Sequence, residues 1–294
     1  MKHLCNVALH EYCSYRIGGM AQDMYFPETR EELVDLVRWH RAQGQRFWIH
    51  GGGANTLFPD GQLEVPIIST SAMTVLRCEG VRVSATAGKI LDAVVRETVR
   101  HGLSGMECLS GIPGTVGGAL FMNAGAYGQE VSDHVQSVTI LTPENTVQTL
   151  TKKECAFAYR QAQGLRGAII LEAEWALVQH DLAQLQARRK EILATRKAKQ
   201  PLEYPSAGSV FKRPNGAYAS QLIDQAGLKG ARIGGAQVSE KHAGFIINIG
   251  GATCQDVLDL VRLCQDTVRE RFGYDLELEQ CLCPGICDLS KKSL

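Results

Sequence analysis

Residues 111–128 read GIPGTVGGALFMNAGAYG. No ordinary helix or strand needs glycine that densely, because glycine loses more backbone entropy on folding than any other residue. What such a run offers in return is backbone that takes positive φ and lies close against a ligand. Its bare N–H groups would then face an anion such as a diphosphate. No Gly-Lys-Ser/Thr follows, so this is not a Walker loop. Pro113 breaks the G-x-G spacing of a dinucleotide fingerprint. Read alone, the stretch remains open to a blander account, a tight turn between core elements.

Working outward, a second glycine cluster, Ile49–Leu57 (IHGGGANTL), follows the apolar run Phe47-Trp48-Ile49, which has the pattern of a strand. Two strand-to-bare-backbone transitions in one chain suggest a large ligand with a pyrophosphate and two ends. Further out, Thr29–Gly44 reads as a helix with Thr29 as N-cap, Glu32 three residues on and Gly44 at its end. Ile90–Gly102 reads as an amphipathic helix with Leu91, Val94, Val95, Thr98 and Val99 on its buried face. Met1–Pro27 is an entry segment ending in a strand, and Gly61–Ala87 breaks into short strands. Val135–Leu141 and Val147–Leu150 form a hairpin, and Ala168–Trp175 closes that region as a strand. Leu182–Gln200 is a polar helix whose Arg188-Arg189-Lys190 run has the character of a solvated face, stopped by Pro201 and Pro205. Beyond it, Ser220–Ala226 and Asp256–Phe272 are helices, with strands near Ala207–Phe211 and Phe245–Asn248.

At 294 residues the chain has room for two domains. Lys+Arg and Asp+Glu both total 31, which argues against a general nucleic-acid binder. No apolar run approaches a membrane span, and the N-terminus lacks a long apolar signal region. A cytoplasmic protein with no membrane partner is therefore expected. Of ten cysteines, Cys281, Cys283 and Cys287 form the only cluster, without zinc-like spacing, so no metal is expected.

The glycine stretch, with Gly105-Met106-Glu107 before it, resembles the flavin-binding core of the UDP-N-acetylenolpyruvoylglucosamine reductase family. Tyr15–Gly19, Gly51–Leu57, Tyr159-Arg160, Ala207–Lys212 and His242–Phe245 match that family in order, so the resemblance covers nearly the whole chain. It implies an α+β fold with an oxidase-type FAD-binding domain, like that of the PCMH and vanillyl-alcohol-oxidase proteins, and a smaller C-terminal α+β substrate domain. The boundaries expected are 1–199 for the flavin region, in subdomains of about 1–70 and 71–199, and 200–294 for the substrate domain. The implied activity is NADPH-dependent, FAD-mediated reduction of UDP-N-acetylglucosamine-enolpyruvate to UDP-N-acetylmuramate for bacterial cell-wall synthesis. A monomer is favoured. The rivals are another FAD-dependent oxidase or reductase on the same flavin fold, and a nonenzymatic UDP-sugar or nucleotide-binding protein.

By resemblance, FAD would be held by Tyr15, Arg16, Gly51, Gly52, Gly53, Ala54, Asn55, Thr56 and Leu57. The central stretch would add Gly111, Ile112, Pro113, Thr115, Gly117, Gly118, Asn123, Gly125, Ala126 and Tyr127. Reduction of an enol ether conjugated to a carboxylate needs a hydride, a positive charge and an acid; flavin supplies the first. Arg160, on residues alone a surface arginine, is by resemblance the charge; guanidinium binds a carboxylate through two parallel hydrogen bonds. Ser209, otherwise a turn serine, is implied as the proton donor, and Glu279 in Leu276-Glu277-Leu278-Glu279 as the third catalytic group. Alternation puts Glu277 and Glu279 on one face, so spacing does not choose between them. Tyr159, Lys212, Lys229 and His242 are candidate substrate or nicotinamide contacts, and His242 reads equally well as a structural histidine. Two departures stand out. Arg213 replaces an Asn of the family pattern, and Gln280–Gly285 (QCLCPG) replaces Val-Arg-x-Ile-Gly. The short interval between Arg160 and Ser209 marks the compact subtype, without an inserted tyrosine loop.

Overall fold

A computed structural model describes residues 1–284. The chain divides into two compact units. The first contains residues 1–3, 24–52 and 67–198; the second contains 4–23, 53–66 and the described residues from 199 onward. One passage between the units falls near residue 199. The expected subdomain 1–70, however, is divided between the units, because Leu4–Asp23 and Gly53–Pro66 group with the C-terminal residues.

The first unit is built on a five-stranded antiparallel sheet. Its order is Val147–Thr151, Val135–Leu141, Ile169–Ala176, Arg82–Thr86, Leu76–Glu79. Alternation along Ile169–Ala176 buries Leu171, Ala173 and Trp175 on one face, and the fully buried indole donates to the Val131 carbonyl at 2.9 Å. Helix Leu91–Arg100 buries Leu91, Val94, Val95, Thr98 and Val99 as its pattern predicts. Each apolar member contributes about 1.5–3 kcal/mol of burial. A smaller parallel arrangement joins Met24-Tyr25, Ile67–Ser69 and Trp48–His50. Helix Arg30–Ala42 starts at Thr29, whose hydroxyl accepts the Glu32 N–H at 3.1 Å.

The polar helix Leu182–Lys199 departs from its expected solvated character. Leu185, Arg189, Ile192 and Arg196 recur at helical spacing; Leu185, Ile192 and Arg196 are buried, and Arg189 is mostly covered.

The second unit carries a three-stranded antiparallel meander, Arg232–Ile233, Ala236–Val238 and Ile246–Asn248, with helices Ala219–Gln225 and Cys254–Phe272. Thr253 and Asp256 close a capping box at the start of the long helix, and Gly273 in left-handed conformation ends it. The strand expected at Ala207–Phe211 is not a regular ladder. It pairs only through isolated bridges, Ser209 with Phe245 and Phe211 with Leu278.

Candidate active site

In the first unit the two glycine clusters come together. A Cβ on Gly51 would lie 2.6 Å from Thr115 Oγ1, and one on Gly52 would lie 3.1 Å from Gly114 Cα. At Gly51 and Gly52 the close approach of the central stretch leaves no room for a side chain. Between them they leave Gly52, Pro113 and Gly118 exposed, with Gly51, Gly111, Ile112 and Gly117 half-buried. A Cβ on Gly118 would meet nothing closer than Thr115 Oγ1 at 3.7 Å. This side-chain-free surface fits a flat, extended group such as FAD.

The expectation of bare N–H groups is corrected in part. Gly111 N–H donates to Asp92, and Ile112, Val116, Gly117 and Gly118 donate to Leu109, Lys89, Ala87 and Thr115. Those donors hold the loop's own shape and do not face an anion. Gly117 also packs, its Cβ position lying 3.1 Å from Ala87 Cβ. Thr115 and Asn123 are buried and shape the loop.

Two tight hairpins flank this surface within the same unit. Gly125-Ala126 pairs with Gln129-Glu130 across a turn at Tyr127-Gly128, and Phe157-Ala158 pairs with Gln161-Ala162 across Tyr159-Arg160. Asn123, Tyr127 and Arg160 all hold positive φ, at 41°, 52° and 54°. Non-glycine residues hold such backbone only where surroundings enforce it, and these positions concentrate at functional sites. The Arg160 guanidinium donates to the Asn123 and Gly125 carbonyls at 3.4 and 3.2 Å and lies over the Tyr159 ring, 5.0 Å from its centroid.

In the second unit, three stretches singled out by motif lie side by side. Val210 N–H donates to Gly244 O at 2.9 Å, Glu279 N–H to Val210 O at 2.8 Å, and Lys212 N–H to Glu277 O at 2.9 Å. Ser209 and Glu279 thus ride on adjacent segments. Ser209 is exposed and Glu279 half-buried. Glu277 is exposed and forms an ion pair with Lys212. The loop after Gly53 is stitched to the same segment. Asn55 Nδ2 donates to Glu279 O at 3.1 Å, Cys281 N–H donates to Asn55 O at 2.8 Å, and Thr56-Leu57 pairs in parallel with Cys281-Leu282. Ala54 and Thr56 are half-buried and Arg16 is exposed at φ 56°.

Several residues expected to meet a ligand are covered or bonded within this unit. Tyr15 and Leu57 are fully covered. The Tyr15 hydroxyl meets the Gln280 amide at 3.2–3.3 Å, and burial pushes the phenol above its ordinary range. Gly53, also covered, stands at φ 63° where a Cβ would overlap the Tyr12 carbonyl. These residues shape the unit. His242 Nδ1 accepts the Gly244 N–H at 3.1 Å, and burial, with Lys229 nearby, pulls its pKa below the ordinary histidine value. Lys229 pairs with Asp224 at 2.6 Å, and Arg213 stacks on Tyr218 at 4.4 Å. Burial pushes the Cys283 thiol up to about 12; Cys287 lies outside the described residues.

Sequence reasoning missed Asp92, Arg189, Glu130 and Gln280. Arg189 grips Asp92 with two bonds of 2.7 and 2.8 Å, across a sequence separation no local pattern reveals. The seven-residue spacing of Arg189 and Arg196 was the available signal that one face of this helix is covered.

Comparison with known proteins agrees with this arrangement. Residues 22–151 match the family described as FAD binding domain. Residues 200–283 match that described as UDP-N-acetylenolpyruvoylglucosamine reductase, C-terminal domain. The chain is 41% identical over 278 residues to the UDP-N-acetylenolpyruvoylglucosamine reductase of Caldanaerobacter subterraneus subsp. tengcongensis, covering 92% of this chain and 90% of the relative. It is 42% identical over 272 residues to the Streptococcus pneumoniae protein of that name, with the same coverage of 92% and 90%. The crystal structure of the Thermus caldophilus enzyme matches with a TM-score of 0.82 at 34% identity, covering 96% of this chain and 98% of that one. The α+β class and the oxidase-type flavin domain expected from the motifs stand.

Proposed function

Because this chain belongs to the UDP-N-acetylenolpyruvoylglucosamine reductase family, we propose that Arg160, Ser209 and Glu279 carry out its reaction. The chain is an FAD-dependent oxidoreductase that uses NADPH to reduce UDP-N-acetylglucosamine-enolpyruvate in peptidoglycan precursor synthesis. FAD, once bound and reduced by NADPH, would supply the hydride needed at the vinyl β-carbon. It would lie against Gly52, Pro113 and Gly118, the exposed positions of the two glycine stretches. Residues 200–294, with the N-terminal segments grouped with them, would receive the sugar nucleotide.

Arg160 binds the substrate carboxylate and offsets the negative charge that gathers there as the electron pair moves off the double bond. Glu279 donates a hydrogen bond to the same developing enolate, which requires it to carry its proton at that moment. Ser209 Oγ gives a proton to the α-carbon and so completes the addition. A hydroxyl is a weak acid, but the carbanion-like carbon it faces is a strong base. The observation that supports choosing Glu279 is the register of its segment. Its N–H is bonded to the Val210 carbonyl, beside Ser209. A cytoplasmic location, where NADPH is available, fits the reaction.

The test separates the half-reactions anaerobically. NADPH should bleach the bound flavin and the enolpyruvyl sugar should restore its colour. Ser209→Ala should leave bleaching near wild type and slow restoration by about a hundredfold or more. Equal slowing of both halves would mean that Ser209 only shapes the cleft. A purified protein without flavin colour would remove the whole reading.

A further inference from the structure

Arg160 sits at the tip of a hairpin that does not hold itself. Its strands, Phe157-Ala158 and Gln161-Ala162, contribute two residue pairs, and a ribbon that short is not stable alone. Its turn places a long side chain at φ 54°, a conformation that residues with a Cβ resist. Something outside the hairpin enforces both.

We propose that Asn123 and Glu130 are positioning residues for Arg160. The inference rests on the reading of Arg160 as the group that meets the substrate carboxylate. The Asn123 amide donates twice, to Ala158 O at 3.1 Å and to Glu130 Oε2 at 2.7 Å. The first bond grips the residue immediately before the Tyr159-Arg160 turn. The second fixes the amide itself. In return, Arg160 donates to the carbonyls of Asn123 and Gly125. Gly125 is the cross-strand partner of Glu130. The contacts therefore close a ring, running Arg160, Gly125, Glu130, Asn123, Ala158 and back to Arg160.

The chemistry explains why these residue types stand here. Asn123 holds φ 41°, which asparagine tolerates better than other side-chain-bearing residues. Its NH₂ provides two donors from one atom, which aspartate cannot. Its Oδ1 is buried without a hydrogen-bond partner, a cost accepted because the two donor bonds fix which way the amide faces. With no exposed surface, the side chain acts through its neighbour. The two carbonyl acceptors help direct the guanidinium.

The holoenzyme tests this with Asn123→Gly, which keeps the backbone conformation and deletes the amide. FAD occupancy and bleaching by NADPH should stay within about twofold of wild type. Recolouring by the enolpyruvyl sugar should slow by about tenfold or more, with a raised KM for the sugar, because a small misplacement of a charge clamp is costly. In an Arg160→Lys background the same change should cost less than about threefold, the non-additivity expected when one residue acts through another. Glu130→Gln, which keeps an oxygen acceptor for Asn123, should retain recolouring, and Glu130→Ala should lose it. If Asn123→Gly fails to hold FAD, the Glu130 pair decides alone. Equal costs in both Arg160 backgrounds, or equal slowing of both half-reactions, would overturn the positioning role. So would indistinguishable Glu130 variants. If Arg160→Lys itself leaves recolouring unchanged, the reading of Arg160 fails instead.

Discussion

The two units hold their chemistry-bearing residues by different means. In the first, Arg160 is fixed through side chains: its own guanidinium, the Asn123 amide and the Glu130 carboxylate. In the second, Ser209 and Glu279 are placed mainly by backbone pairing, with the Asn55 amide adding one side-chain bond to Glu279 O. Val210 receives Glu279, Asn55 receives Cys281, and Leu57 receives the Cys283 N–H at 3.1 Å. A backbone tether does not depend on which side chain stands at each step. This accounts for the altered C-terminal tail. Gln280-Cys281-Leu282-Cys283 departs from the family pattern, but the N–H groups that register Glu279 are main-chain groups that nearly any residue supplies. A side-chain tether has no such latitude, and it is the kind that depends on single residues distant in sequence.

The largest effect expected from breaking the contrast comes from Gly53→Ala. The new Cβ would overlap the Tyr12 carbonyl at a residue with φ 63°, so steric and backbone strain add to about 3 kcal/mol or more. Thermal melting should show a sharply lowered transition or no folded protein. Gly118→Ala, with open space at its Cβ, should melt near wild type and lose affinity for FAD. A Gly53→Ala protein that melts normally would show that backbone register in the second unit is soft.

Next comes the choice between the two glutamates. Glu279→Gln should keep FAD and melting temperature but lose about a hundredfold or more in recolouring by the sugar. Glu277→Gln, which breaks only the exposed pair with Lys212, should cost less than about tenfold, equivalent to about 1.4 kcal/mol of barrier. Reversed results would move the catalytic role to Glu277 and mean that the match of this segment to the family motif is shifted by two residues.

What the sequence made legible follows the same division. Periodicity placed the helices at Arg30–Ala42, Leu91–Arg100 and Cys254–Phe272, because burial of a stripe is a local property of spacing. Glycine density marked the central loop, since close backbone approach excludes side chains wherever it occurs. Two kinds of feature stayed hidden. One is the reason for each glycine: Gly117 avoids Ala87, and Gly52 avoids Gly114, neither of them a ligand. The other is the long-range partner. Nothing near Asn123 announces Ala158, nothing near Asp92 announces Arg189, and Tyr15 reads as a ligand contact until Gln280 is seen against its hydroxyl. The Ala207–Phe211 segment failed for a third reason: its pairing is limited to isolated bridges, too sparse for alternation to produce a ladder.

The smallest expected effect tests whether the first unit's side-chain tethers include an ionic one. Asp92 Oδ1 accepts the Gly111 N–H at 2.7 Å, while Arg189 grips both carboxylate oxygens. Burial works to raise this carboxyl's pKa, but the Arg189 and Gly111 hydrogen bonds outweigh it and hold the group below the usual carboxylate range. The sign follows. A carboxylate with a depressed folded pKa stabilises the fold above its unfolded value, about 3.9, and loses that contribution as pH falls through the folded value. Asp92→Asn should therefore lower stability at neutral pH by about 1.5–3 kcal/mol, the scale of hydrogen bonds to a charged group. The gap to wild type should stay constant down to about pH 5 and narrow below about pH 4. FAD release should track the Asp92 gap, since Gly111 opens the stretch that would hold the cofactor. A gap that persists unchanged at pH 3 would show that Asp92 acts by shape alone, and the first unit would then contain no ionic tether at this position.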